Sequence, residues 1–137
     1  MNINTYLTFK DNCRQAFEFY RSVFGGDFTD MQSFGDGPPD MDIPEAERDL
    51  VMHVSLPIGS GVLMGSDSAS FGPPPTPGNN FSLSIAPDSK EEADALFAKL
   101  SDGGQVTMPM QDQFWGAYFG TCTDKFGINW MINHHTG

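Results

Sequence analysis

The sequence predicts an α+β fold made of two successive βαβββ units within one domain of 137 residues. Three observations lead there. Short apolar runs alternate at the two-residue period of half-buried strands. Two stretches with apolar residues at helical spacing each stop at a glycine pair, Gly25-Gly26 and Gly103-Gly104. Between them, FGPPPTPGNN over Phe71 to Asn80 holds four of the ten prolines, too many for helix or inner strand, and divides the chain near its middle. The expected organisation is one unit over about 1–70, a stiff connector over 71–78 and a second unit over 79–137.

Taken in order, Ile3, Thr5, Leu7 and Phe9 alternate with Asn4, Tyr6 and Thr8, which predicts a strand over Ile3 to Phe9 with one face turned inward. Asp11 or Asn12 can cap the following helix, in which Ala16, Phe17, Tyr20, Val23 and Phe24 recur at helical spacing up to the glycines. Phe28 to Phe34 reads as a second strand, and Gly35 to Pro44 as an exposed lid or plain loop rich in Gly, Pro and Asp. Leu50 to Leu56 and Gly61 to Ser66 are apolar runs joined by Pro57-Ile58-Gly59-Ser60, which predicts an antiparallel hairpin. Past the connector the order repeats: strand Phe81 to Ile85, a helix from an Asp88 or Ser89 cap through Leu100, then strands over Gln105 to Met108, Ala117 to Cys122 and Ile128 to Asn133. FEFYRSVFGG in the first half answers LFAKLSDGG in the second, as a duplicated unit would.

Composition narrows the function. Hydrophobic residues at 39% and twelve Phe suffice for a core without disulfides or structural metal. A net charge of −11, from 7 basic against 18 acidic residues, repels phosphate backbones and anionic lipid, so nucleic acid and membrane are excluded as partners. No run approaches the ~20 apolar residues that span a bilayer. The start, MNINTYLTFKDN, lacks the basic and apolar regions of an export signal, so the expected location is cytoplasmic. Cys13 and Cys122 show neither CxxC nor zinc-type spacing and are expected to be free, reduced thiols.

Four segments, NCRQAFEFYRSVFGG, VLMGSD, FWGAYFG and TDKFGINWMIN, resemble in order the PhnB-like branch of the vicinal oxygen chelate superfamily. That superfamily includes glyoxalase I, extradiol dioxygenases, and fosfomycin and bleomycin resistance proteins. The resemblance covers nearly the whole chain. It implies the glyoxalase/bleomycin resistance fold, with curved mixed sheets around a cleft, a small-molecule ligand, and a homodimer in which segments are sometimes exchanged; the Pro-rich connector suits such exchange. Members of the branch often carry the label 3-demethylubiquinone-9 3-methyltransferase. A methyltransferase usually holds S-adenosylmethionine at a glycine-rich turn after a strand, and this sequence has none.

In metal-using members, four ligands of the His, Glu or Gln type project from the first and last strands of each unit. Carried over, they fall at Asn4, Met64, Asn80 and Met131. Thr5 is the alternative to Asn4, but it shares the inward face of Leu7 and Phe9. Two amides and two thioethers bring no negative charge to a divalent ion, so the expectation is no metal cofactor in the usual place. Isomerisation and dioxygenation of the family type lose support with it, because both rest on a metal that polarises the substrate oxygens.

Other residues carry chemistry of their own. His53 shares a strand face with Val51 and Ser55 and suits a general base or ligand anchor, or a hydrogen-bonded structural histidine. Asp67, at a strand end, can accept from a ligand or cap a turn. Phe114, Trp115 and Tyr118 flank Gly116 and can stack on a planar ligand or pack in the core. The expected ligand pocket is thus Asn4, Tyr6, His53, Met64, Asn80, Phe114, Trp115, Tyr118 and Met131. Asp124, Phe126 and Gly127 read as a scaffold turn. His134 and His135 sit near a frayed terminus, where metal capture would be adventitious. Three functions follow in order: a metal-free small-molecule binder, such as one that sequesters a drug as resistance proteins do; a lyase, isomerase or dioxygenase-type enzyme with His53 and Asp67 in the site as acid and base; and a metalloenzyme with a divalent ion held by relocated ligands around His53. The acidic charge would favour a cationic ligand such as bleomycin.

Overall fold

The structure, a computed structural model, describes residues 1–40 and 42–135. Met41, in the predicted Gly35 to Pro44 loop, and the last two residues therefore lie outside the described residues. The chain divides into two compact units, Met1–Thr76 and Pro77–Gly137.

Unit 1 runs β1 (Thr5–Phe9), α1 (Cys13–Phe24), β2 (Asp30–Ser33), β3 (Val51–Ile58) and β4 (Gly61–Asp67). Its sheet has the order β1-β4-β3-β2, with β1 and β4 parallel and the other pairs antiparallel. The predicted hairpin forms, with Ile58 opposite Gly61 and Gly59 at φ +57°, a conformation open to glycine. Alternation then sorts the side chains. Leu7, Phe9 and Leu63 are buried, as are Ala16, Phe17 and Tyr20 of α1. Phe17 meets the rings of Phe9 and Tyr20 edge-on, at 6.3 and 5.6 Å between centroids. Burial of each such side chain contributes about 1.5–3 kcal/mol. Gly65 is where α1 comes closest: a Cβ there would sit 2.6 Å from Phe17 Cε1 and 3.0 Å from the Leu7 carbonyl oxygen.

The segment between β2 and β3 contains two short 3-10 turns, Phe34–Asp36 and Glu45–Glu47. Its neck is closed by Gly35 N donating to the Arg48 carbonyl at 2.8 Å and Arg48 Nη2 donating to the Gly35 carbonyl at 3.2 Å. Arg14 of α1 donates to Ser33 Oγ and to the Asp49 carbonyl, tying the helix to both ends of the segment.

Unit 2 repeats the order with β5 (Leu83–Ile85), α2 (Lys90–Ser101), β6 (Gln105–Gln113), β7 (Ala117–Thr123) and β8 (Asn129–His135), in a sheet of order β5-β8-β7-β6. Leu100, Ala93, Cys122, Trp130 and Ile132 are buried at its core. Ser89 caps α2 as expected, its Oγ accepting from Glu92 N at 3.0 Å. The predicted scaffold turn is built around buried Asp124, whose carboxylate accepts from Phe126 N, Ile128 N and Trp130 Nε1.

Several boundaries differ from expectation: β1, β2 and β5 are shorter than expected, β3 extends through Pro57 and Ile58, and β6 and β8 run further. β6 continues five residues past Met108, through Pro109, because it is an edge strand whose register shifts between Met108 and Gln111, a position where a missing N–H is tolerated. β8 runs to His135, and His134 is held: its Nδ1 lies 2.9 Å from the Pro87 carbonyl, which accepts from it. Among the described residues no helix is long and apolar enough to cross a membrane.

Candidate functional site

In the first sheet, Leu7, Phe9, Leu63 and Asp67 point toward α1, so Tyr6, Thr8, Met64, His53, Ser55, Asp30 and Gln32 point away from it, onto what we term the distal face. Tyr6 lies opposite Met64, Met64 opposite Ser55, and Ser55 opposite Asp30, which makes one row across all four strands. His53 stands in the next row and reaches across β4. Its ring stacks on Tyr6, with centroids 5.7 Å apart and planes inclined by 27°.

His53 Nδ1 is 3.2 Å from Tyr6 Oη, and its Nε2 is 3.0 Å from Ser55 Oγ. A neutral imidazole has one donor and one acceptor nitrogen, and a hydroxyl serves either, so both tautomers are satisfied here. Asp30 Oδ2 lies 3.8 Å from Nε2. Gln32 Nε2 donates to the same carboxylate at 3.2 Å. The imidazole is thus held by Tyr6 and Ser55, while the Tyr6 side chain stays accessible, at 47% exposure.

The acid–base partnership of His53 with Asp67 is corrected by this geometry. Asp67 is 3% exposed and faces the helix side. Its Oδ1 accepts from Cys13 N at 2.9 Å and its Oδ2 from Val51 N at 2.8 Å, so both oxygens are engaged with backbone. Burial pushes its pKa up, against the two N–H bonds that pull it down. Asp67 caps α1 and anchors β3, and the expected cap from Asn12 makes no side-chain bond. Cys13, beside it, has a thiol whose pKa burial raises far above the usual range, and burial brings the Cys122 thiol up to about 11.

The aromatic trio is also separated. Tyr118 faces α2: its Oη donates to Asp94 Oδ1 at 2.6 Å, which raises its pKa, and Lys90 Nζ lies 5.0 Å from its ring centre. Alternation along β7 puts Tyr118 and Phe119 on opposite faces. Phe114 and Trp115 form the β6–β7 turn, 97% and 51% exposed, and Trp115 packs edge-on against Phe119 on the distal face. Phe119 is opposite Asn133, and Thr121 opposite Met131.

Of the four positions at which the family resemblance places metal ligands, Met64 and Met131 occupy matching central places in β4 and β8, opposite Tyr6 and Ser84. Asn4 and Asn80 are exposed and lie just outside β1 and β5. This donor set does not fit a divalent cation, which wants imidazole, thiolate or carboxylate. Ser55 near His53 was legible by alternation along one strand. Asp30 and Gln32 were not, since only the β2–β3 register brings them there. A separate hollow of about 650 Å³ in unit 1 is lined by Lys10, Asn12, Gln15, Glu47, Leu50 and Ala69 among others. It contains none of the candidate residues.

A family model described as Glyoxalase/Bleomycin resistance protein/Dioxygenase superfamily matches residues 2–132. The chain belongs to this superfamily. It is 31% identical to Protein YjdN of Escherichia coli (strain K12), covering 97% of this chain and 95% of that one. The crystal structure of protein PA1353 from Pseudomonas aeruginosa is 41% identical with a TM-score of 0.87, covering 98% of each chain. The PhnB protein from Bacillus cereus, which bears the name 3-demethylubiquinone-9 3-methyltransferase, is 25% identical with a TM-score of 0.76, covering 98% of this chain and 99% of that one. The superfamily fold expected from the sequence is therefore the one observed, with two helices and two mixed four-stranded sheets.

Proposed function

We propose that this chain binds a small organic molecule on the distal face of its first sheet, with His53 as the anchoring group and without a divalent metal at the inherited ligand positions. The observation that carries this reading is the imidazole of His53 held between two hydroxyls, Tyr6 Oη and Ser55 Oγ, beside the thioether of Met64. Such an arrangement offers a ligand polar contacts of either sense next to an aromatic ring, the mix that small-molecule sites use. Membership of a superfamily that contains resistance proteins supports binding as such.

An acid–base enzyme built on His53 and Asp67 lacks support, because Asp67 spends both oxygens on backbone N–H groups. The methyltransferase name of the Bacillus cereus protein is not carried over. Glycine-rich turns that hold S-adenosylmethionine follow strands, whereas both glycine pairs here follow helices. The proposal includes a cytoplasmic protein, which two buried free thiols suit, and a homodimer, to be tested by light scattering.

The direct test is elemental analysis of the purified protein together with thermal melting in zinc, nickel and manganese. Binding to the native state raises Tm, by an amount that grows with the ratio of ligand concentration to Kd. The expected result is neither stoichiometric metal nor a shift, with hits from a small-molecule screen lost in His53→Ala. Stoichiometric metal with a Tm rise abolished in His53→Ala would overturn the metal-free reading, and hits insensitive to His53 would overturn the anchor.

A further inference from the structure

We propose that Met110 is a redox-addressable anchor of the edge strand β6: a peroxide converts its thioether to the sulfoxide, which loosens β6 from β7, and reduction seats the strand again. All the residues involved lie in unit 2, so the inference is independent of the His53 reading.

The first observation is how little of β6 is covered. Of its nine residues only Met110 and Gln113 are not exposed, and Gln113 Nε2 donates to the Gln111 carbonyl of the same strand at 3.4 Å. The one apolar side chain that β6 tucks away is therefore that of Met110. The second observation is the interrupted ladder. Register shifts fall between Val106 and Met108 and again between Met108 and Gln111, and Pro109 brings no N–H. Met110 stands inside the second shift. Its side chain has a seat there, over Gly120 of β7, which is buried. A Cβ on Gly120 would lie 2.6 Å from Met110 Sδ and 3.1 Å from both the Met110 Cα and the Met108 carbonyl oxygen. The sulfur thus fills the side-chain position that Gly120 leaves empty. The side-chain ties that remain, Thr107 Oγ1 to Thr121 Oγ1 at 2.6 Å and Lys90 Nζ to Asp112 Oδ1 at 2.9 Å, are exposed, where an ion pair holds weakly.

The chemistry follows from that seat. The sulfur lone pair attacks one oxygen of hydrogen peroxide, the O–O bond breaks, the oxygen stays on sulfur and the other leaves as water. Sulfur loses the two electrons that the peroxide gains. The product is polar and larger, and its oxygen accepts hydrogen bonds, whereas the seat offers another acceptor, the Met108 carbonyl. A dithiol reductase reverses the step, giving thioether, disulfide and water.

The test is amide hydrogen exchange of the full chain before and after hydrogen peroxide, with peptide mapping to follow each methionine. Once Met110 is oxidised, the amides of β6 and of its partner β7 are expected to exchange about tenfold faster, a local opening, while α1 is unchanged. Methionine sulfoxide reductase should restore the original rates. Met110→Leu, which keeps the volume without the chemistry, should not respond to peroxide, and Met110→Gln should show the faster exchange without it. Met108→Leu should respond as wild type does, since Met108 is exposed. Unchanged exchange with Met110 oxidised, a full response in Met110→Leu, or a Met110 that stays reduced while Met108 oxidises would overturn the anchor.

Discussion

Asp67 Oδ1 accepts the backbone N–H of Cys13 at 2.9 Å, so the first residue of α1 is capped by the last residue of β4, 54 positions away. The other oxygen takes Val51 N at the start of β3. Asp67→Ala leaves two buried N–H groups unpaired, each worth about 1–3 kcal/mol. We expect unfolding by urea to show a loss of about 2–5 kcal/mol with little change in m, and a smaller loss for Asp67→Asn, which keeps one acceptor oxygen.

The same carboxyl gives stability a pH dependence. Its pKa is raised in the folded state, chiefly by burial, so folding favours the protonated form. Its contribution is therefore full below the ordinary carboxylate value of about 4 and declines as pH rises through the raised value. The Tm difference between wild type and Asp67→Asn, followed across that window, should shrink as pH increases. A difference that widens with pH would mean that the two N–H bonds outweigh burial.

Close packing of α1 on the first sheet rests on the missing side chain of Gly65. Gly65→Ala places a methyl 2.6 Å from Phe17 Cε1 and should cost about 1–3 kcal/mol, the usual penalty of overfilling a core. Gly72→Ala, where a Cβ meets nothing within 4 Å, serves as the control and should stay within about 0.5 kcal/mol of wild type by the same denaturation measurement.

Both thiols are buried, and both pKa values are pushed up by that burial, Cys122 to about 11. Thiolate is the reactive form. Native protein at pH 8 should show no fast-reacting thiol with a disulfide reagent such as DTNB, and two equivalents after denaturation. A fast equivalent in the native state would show that one thiol opens to solvent.

Much of this was legible in the sequence because β alternation is a local property. The period that buries Leu7 and Phe9 turns Tyr6 outward, and the period that buries Val54 turns His53 and Ser55 together. What failed to be legible was whatever depends on partners far along the chain. Asp67 stands in a hydrophilic stretch, GSDSAS, and nothing local shows that its oxygens meet Cys13 and Val51. Tyr118 is followed directly by Phe119, an aromatic on the other face, so only its bond to Asp94 on α2 reveals its side. β6 was cut short at Pro109, since a proline reads as a strand end unless the strand is known to be an edge.

The strand end that holds α1 has a counterpart in the second half. Met64 and Met131 stand at matching places, so three residues on, Asp67 corresponds to His134. There the histidine grips the Pro87 carbonyl, and α2 takes its cap from its own neighbour, Ser89. One duplicated problem thus has two answers, one borrowed and one owned. A helix that owns its cap can be transplanted, lengthened or mutated at its start without consulting the sheet. A helix that borrows it cannot, and strand β4 cannot change at position 67 without the helix. Mutational freedom in this chain should therefore be lopsided, with the start of α2 and the end of β8 able to drift separately while Cys13, Val51 and Asp67 stay bound to a shared fate.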